Sequence, residues 1–417
     1  MADNNLLKIK EKNPYFATCI CLYLNYLALG IGLITVAQNM NSLMLRFDTN
    51  EAGIAGVISG IGAGRLLSYF IQGYLSDKYG RKPLVCSGVF LYAVSLLGIL
   101  FSPNIYVAFC FSMVGGVGNA ALDTGTYPAL MEAYPRASGT AVTFCKAAVS
   151  IGQMSFPLVV SALIVYGVWY GYSFLVPVCI FVISGICLKT KKFPSHLIYQ
   201  ASHEERKLMP RMRQQPQWYD CLASILFGYM AYAVFYSIVV WIPKYAEKVV
   251  GMDVVLALQT VSYYSIGSLM SVFAVAYLVK TLVRPVLITT LFPLCAGICD
   301  LIVYFYPVEW VCNAGSFFIG FFAAGGILQL GVSIVAEFYP HCKAKMTGAY
   351  MMFGSLANFT VPLITGMLSN IDISLILVFA AGAGFAGTAL GGFVYFRYYR
   401  IFEIPDSDLR FAEGKMR

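Results

Sequence analysis

Glu132-Ala133-Tyr134-Pro135, with Pro157-Leu158 twenty-two residues past its proline, returns later in the chain as Glu337-Phe338-Tyr339-Pro340, with Pro362-Leu363 at the same spacing. Each pair is separated by 205 residues, and at that offset Gly115 also answers to Gly320 and Gln153 to Asn358. A looser echo, at an offset of 203, links Gly73-Tyr74-Leu75 and Arg81 to Ala276-Tyr277-Leu278 and Arg284. Chance can supply one such match, but hardly two proline pairs with identical spacing. The chain therefore reads as a tandem duplication.

Composition says what each copy is made of. Of 417 residues, 59% are apolar and 12% charged, against roughly 45–50% and about 25% in a soluble domain. Mean hydropathy is +0.73. A soluble enzyme, a disordered chain and a nucleic-acid binder are excluded together. A bilayer crossing takes about 20 mostly apolar residues. Twelve such runs stand near 15–39, 52–75, 83–101, 104–131, 138–165, 168–188, 218–243, 254–279, 285–306, 310–336, 346–368 and 372–396. The first follows Lys8, Lys10 and Lys12 as a leader would, yet it continues without a small-residue cleavage site and reads as a retained helix.

The basic residues orient these runs. With a cytoplasmic N terminus, 23 of the 28 Lys and Arg fall on the cytoplasmic side, only Arg46, Lys244 and Lys248 fall opposite, and Arg65 and Lys146 lie within spans. That bias is the positive-inside pattern of an inner (plasma) membrane protein with both termini in the cytoplasm. The net charge of +8 is thus an orientation signal and needs no nucleic-acid partner. Most of the 12 Cys, among them Cys19, Cys21, Cys179, Cys187, Cys295 and Cys299, lie in apolar runs as small filler. The expected fold is an all-α membrane protein of two pseudo-symmetric six-helix bundles. Residues 1–188 form the first, 189–217 a solvated linker, 218–400 the second and 401–417 a cytoplasmic tail. Parallel repeats of this kind bind substrate where the halves meet, near the midplane.

Between the second and third runs stands Gly73-Tyr74-Leu75-Ser76-Asp77-Lys78-Tyr79-Gly80-Arg81-Lys82. Gly73 and Gly80 suit a tight reversal and close helix approach. Asp77 suits the N-terminus of a neighbouring helix, and Arg81 is placed to bridge to Glu132. The decapeptide resembles the signature G-x-L-x-D-x-x-G-[RK]-[RK] of the major facilitator superfamily. The resemblance implies that family's fold and alternating access. It also implies a gating role on the cytoplasmic side for Asp77 and Arg81, with Glu132 as the acid on the fourth helix.

Four ionisable residues, Arg65, Asp123, Lys146 and Asp300, lie inside apolar runs. Each is expensive unless paired or facing a cavity. By residue count, Arg65, Asp123 and Lys146 all sit about 12–15 Å from the cytoplasmic interface, near the midplane. The resemblance puts their helices around the cavity, where the three are expected to meet. The plain alternative is a salt bridge that only ties helices together. The cluster's net charge of +1 suits a monoanionic solute group. Asp123 is the candidate protonation site, because burial favours its neutral form while Arg65 or Lys146 favours the charged one. Asp300, near the outer end of its run, is expected to reach for the interface. Asn25, Gln153, Gln329 and Asn358 are candidate solute contacts, with interhelix hydrogen bonding as the alternative. Tyr232 and Tyr236, in a stripe with Tyr229, are cavity candidates or packing residues. Gly56, Gly60 and Gly64 read as a close helix contact.

The leading function is a secondary transporter of a small organic solute, expected to be an anion and proton-coupled, working as a monomer with solute, protons and lipid as its partners. An efflux antiporter is disfavoured, because Ser112 and Phe156-Pro157 stand where the resemblance would put a buried Arg and a Gly-Pro pair. A transport-dead receptor would need more than the linker offers. No enzyme is expected: His196, His203 and His341 lie in loops without metal-ligand spacing, and no metal or cofactor site is indicated.

Overall fold

The computed structural model describes residues 14–194, 213–281, 283–340 and 343–402. Most of the linker, the tail and the three His lie outside the described residues. Among the described residues, twelve helices are long and apolar enough to cross a membrane. Spans one to six are Phe16–Gln38, Glu51–Tyr79, Arg81–Phe101, Ile105–Ala133, Gly139–Val165 and Gly171–Thr190. Spans seven to twelve are Trp218–Val250, Val254–Val279, Pro285–Phe305, Glu309–Phe338, Met346–Ser369 and Leu375–Ile401. Helix is dictated by the solvent, since a bilayer offers no partner for a backbone N–H or C=O. The helix ends are closed by polar residues at the rims. Asn50 accepts from the Gly53 N–H and Asn104 from the Val107 N–H, each at 3.0 Å, and Gln217 with Asp220 forms a capping box.

Three boundaries differ from the apolar pattern. The conserved-looking decapeptide is not a loop. Ser76 to Tyr79 complete the last turn of span two, Gly80 alone makes the reversal at φ 96°, and Arg81 begins span three. Span seven runs on past the expected 243 to Val250 through a π-helical turn, Ala246–Val250. Span ten is broken: a π-helical turn at Gly320–Ala324 leads to Gly326 at φ 115°, and a new helix starts at Ile327. Such interruptions are tolerated at membrane depth only inside protein or along a cavity.

Glycines decide which spans touch. A Cβ at Gly64 would lie 2.0 Å from the Met113 carbonyl oxygen, and one at Gly60 2.9 Å from that of Phe109. Spans two and four are thus in backbone contact. Gly56, expected in the same contact, faces open space. Gly62, between them, faces the other way. Its Cβ would lie 2.2 Å from the Phe359 backbone nitrogen of span eleven. Gly366 of span eleven abuts Ala52 and Ala55 of span two.

That contact between the halves ends partway along. Gly73 lies three turns from Gly62 on the same face, and a Cβ there would meet nothing within 4 Å. Gly348 lies five turns from Gly366 on one face of span eleven and is equally clear. Gly73 therefore serves no close approach, contrary to expectation. Among the described residues, the hydrogen bonds that cross between the halves lie from mid-span to the side away from the chain termini. They include Ser150–Ser268 at 3.1 Å, Ser262 to the Met154 carbonyl at 2.8 Å and Asn50–Asn370 at 3.0 Å. The halves are closed on the far side and splayed toward the termini side.

On the termini side, Asp220 of span seven receives both Arg397 Nε at 2.7 Å and Arg397 Nη2 at 2.8 Å from span twelve. Asp220 also accepts from the Gln217 backbone N–H at 2.8 Å, so the carboxylate is fully used. Removing one partner of a buried pair leaves a bare charge and costs about 3–5 kcal/mol. Arg397→Ala should therefore lower the melting temperature of the purified protein clearly, and Arg397→Lys should recover part of the loss. An unchanged melting curve for Arg397→Ala would show that the pair contributes nothing.

Candidate functional site

At the depth where the halves begin to part, Asp123 of span four is held from two sides. Arg65 Nη2, from span two, donates to Oδ2 at 3.0 Å, and the Tyr26 hydroxyl of span one donates to Oδ1 at 2.7 Å. Arg65 and Asp123 are 7% and 6% exposed, so the pair is removed from water. The Gly60 and Gly64 contacts create this geometry: they let spans two and four approach until a long and a short side chain meet. Arg65 is not saturated. Its Nε has no hydrogen-bond partner among the described residues, and its guanidinium carbon lies 5.9 Å from the Tyr69 ring centre.

Lys146 does not join the pair. Its Nζ sits 4.8 Å from the centre of the Phe235 ring, which belongs to span seven in the other half. No hydrogen bond or ion pair engages it among the described residues, and it is half-buried. The expected three-membered cluster is thus a two-membered pair plus a separate cation held against an aromatic face. The physical reason is direction: span five turns Lys146 toward span seven and not toward span four. Asp123 is neutralised by Arg65, and Lys146 supplies the spare positive charge.

The uncharged candidates come from spans of both halves. Asn25, Gln153, Tyr236 and Asn358 are buried, and Gln329 half-buried; each has at least one polar atom without a partner among the described residues. Tyr232, half-buried on span seven, approaches Arg65 across the divide. Buried polar atoms are nearly always hydrogen-bonded to protein or water. Tyr229 leaves the group: its hydroxyl is bonded to Thr360 at 2.8 Å.

Sequence reasoning missed Tyr26, which completes the shell of Asp123, and Phe235, which carries Lys146. Neither has a signal in the linear pattern, because an aromatic in an apolar span looks like packing. It also missed Tyr92 and Tyr350, both buried with hydroxyls that lack a partner among the described residues.

The motif residues form a local network. Arg81 Nη1 donates to Asp77 Oδ1 and to Ser76 Oγ, both at 2.8 Å, and Arg81 Nε donates to Glu132 Oε1 at 3.2 Å. These bonds join spans two, three and four of one half. The Asp77 side chain is 78% exposed. The opposite rim is clasped instead. Lys244 bonds Glu247 at 2.7 Å and Asn41 of the other half, Asn41 Nδ2 donates to Glu247 Oε1 at 3.2 Å, and Lys248 bonds Glu51 across the halves. In the sequence these lysines registered only as the few cations outside.

The family model described as Major Facilitator Superfamily matches residues 15–362. The chain is 47% identical over 403 residues to Inner membrane transport protein YdiN of Escherichia coli (strain K12), covering 96% of this chain and 95% of that one. It is 38% identical over 386 residues to YdiM of the same strain, also an inner membrane transport protein, covering 93% and 95%. The solved inward-open conformation of the E. coli xylose transporter XylE superposes with a TM-score of 0.72 at 14% identity, covering 94% and 97%.

The far-side clasp gives a direct test. Spin labels at Leu45→Cys and Ile371→Cys, both exposed on that rim, should report a short distance between the halves. Adding Glu51→Gln and Glu247→Gln should shift the population toward longer distances. An unchanged distribution would mean that the clasp does not hold the rim.

Proposed function

The chain belongs to the major facilitator superfamily of membrane transporters, and from that premise we propose that it carries a small organic anion together with a proton across the inner membrane. Access alternates between the bundles 1–188 and 218–400, with both termini cytoplasmic and one chain sufficient. The described conformation is then the inward-facing one. The observation that carries this reading is Lys146: a half-buried cation with no ion-pair or hydrogen-bond partner among the described residues, held against Phe235 of the other half, in the same half as the buried Arg65–Asp123 pair.

A monoanionic group entering from the cleft meets Lys146 first and then the free Nε of Arg65. Every hydrogen bond it draws from Arg65 weakens the hold on Asp123. A carboxylate losing its cation in a dry site takes a proton. Solute and proton thus arrive as one neutral load on a pair that was already balanced. Asn25, Gln153, Tyr232, Tyr236, Gln329 and Asn358 supply the polar contacts that would fix the rest of the solute. Asp77, Arg81 and Glu132, with Gly80 as the turn, form the latch that engages when the termini side closes. Gly73 adds only helix surface.

Two outcomes are expected. Lys146→Gln should lose a charge-assisted hydrogen bond of about 1.5–3 kcal/mol, a roughly ten- to hundredfold weaker binding of the anion, while a neutral analogue binds nearly as before. Equal losses for both would assign Lys146 a structural role. Asp123→Asn should abolish accumulation driven by a pH gradient yet leave solute exchange in proteoliposomes, and full accumulation in that variant would remove Asp123 from the coupling step.

A further inference from the structure

Asp300 was expected to reach for the membrane interface, and it does the opposite. It is 0% exposed, and neither carboxyl oxygen has a hydrogen-bond partner among the described residues. Span nine explains the direction. Leu291, Ile298, Ile302 and Phe305 form its exposed face, while Pro293, Ala296, Gly297, Asp300 and Val303 form the buried one. Asp300 therefore points into the bundle of the second half. The duplication agrees: 205 residues earlier stands Ser95, itself 2% exposed and pressed against Gly115, the repeat partner of Gly320.

Among the described residues no cation answers Asp300. Span nine contains no Lys, Arg or His, and in spans eight, ten and twelve the only ones are Arg397 and Arg400, in the last turns of span twelve. Arg397 is bound to Asp220 and Arg400 lies 4.3 Å from the Phe396 ring centre, both at the termini side. On span seven, Lys244 is committed to Glu247 and Asn41, and Lys248 to Glu51. The titratable groups that face Asp300 are neutral ones. Tyr264 comes from span eight. About one turn along span nine, the Tyr245 hydroxyl of span seven is spent on the Val303 carbonyl at 2.9 Å. Cys299 neighbours Asp300 on its own helix.

An ionised carboxylate buried without a partner is among the most costly groups to bury, and such groups take up a proton instead. We infer that Asp300 is a second proton-binding site of this protein, loaded in the conformation described here and separate from Asp123. The inference deepens the proton-coupled reading above. Two features give the proton a way to move. One turn toward the termini side of Asp300, Ala231, Pro293, Ala296, Ala323 and Ile327 enclose a cavity of about 10 Å³, about the least that admits a water. The break in span ten, from Gly320 to Gly326, borders the same place: Gly320 is pressed on the backbone of Tyr264, and Ala323 lines the cavity. A shift of that break would wet Asp300 from the termini side, and the carboxyl would then release its proton to water and remain as a carboxylate.

The test is infrared spectroscopy of the full chain in nanodiscs near neutral pH, reading the carbonyl stretch of protonated carboxylic acids. The wild type and Asp123→Asn should both show a band that Asp300→Asn lacks, and the band should bleach reversibly as the pH is raised. Carbon-13 at the aspartate carboxyl should shift it, which assigns the band to Asp without any substitution that must fold. A band unaffected by the label or by Asp300→Asn overturns the protonation. A band that never bleaches while the protein stays folded overturns its role as an exchangeable site. Because the readout is protonation and not transport, failure here leaves the anion–proton reading intact, and failure of that reading leaves this one standing.

Discussion

An ion pair at mid-membrane has to be assembled dry, and the rest of this structure follows from how Arg65 and Asp123 achieve it. Desolvating two charges costs several kilocalories per mole each, and their attraction offsets that only when geometry is good and remaining lone pairs are satisfied. Tyr26 satisfies the second oxygen of Asp123. The close approach at Gly60 and Gly64 sets the distance. Nothing described satisfies Arg65 Nε, so the pair is complete for the acid and incomplete for the base. An asymmetric pair of this kind can be tipped by a guest that competes for the guanidinium, whereas a saturated one, such as Asp220–Arg397, can only hold helices together.

The two halves carry matching sequence pairs but differ in structure. The first keeps the intact turn motif, with Arg81 joined to Asp77 and Glu132, and a continuous fourth span. The second keeps only an echo of that motif, and its tenth span is interrupted at Gly320–Gly326. Ion pairing at the site belongs to the first half. Phe235, Tyr232 and Tyr236 come from the second and reach across the divide. Relative motion of the halves would therefore change what Lys146 and Arg65 face, which is the link between conformation and binding that the proposed alternating access requires.

Much of the architecture was legible because the bilayer enforces simple rules. Run length, the positive-inside bias and the spacing of Pro135–Pro157 and Pro340–Pro362 led to twelve spans in two copies without any contact being known. The Arg81–Glu132 bridge was legible because a signature decapeptide names its own partners. What stayed hidden depended on rotation about a helix axis. Lys146 was expected beside Asp123 but is turned to a different neighbour, Phe235. Asp300 was assigned to the interface by its distance from the span end, although Leu291, Ile298, Ile302 and Phe305 already marked the opposite face as the one toward lipid. Gly62, the glycine that seats one half on the other, sat unnoticed inside the Gly56-Gly60-Gly64 repeat because spacing alone cannot tell which face meets which helix.

The central claim is that a solute anion and a proton share the Arg65–Asp123–Lys146 cleft. Its most direct test is the external pH of lightly buffered, de-energised cells expressing the protein while organic acids are added singly. The account predicts alkalinisation on adding the transported acid and none in cells expressing Asp123→Asn. An acid that enters through the protein without moving protons, or alkalinisation that persists unchanged in Asp123→Asn, would contradict it.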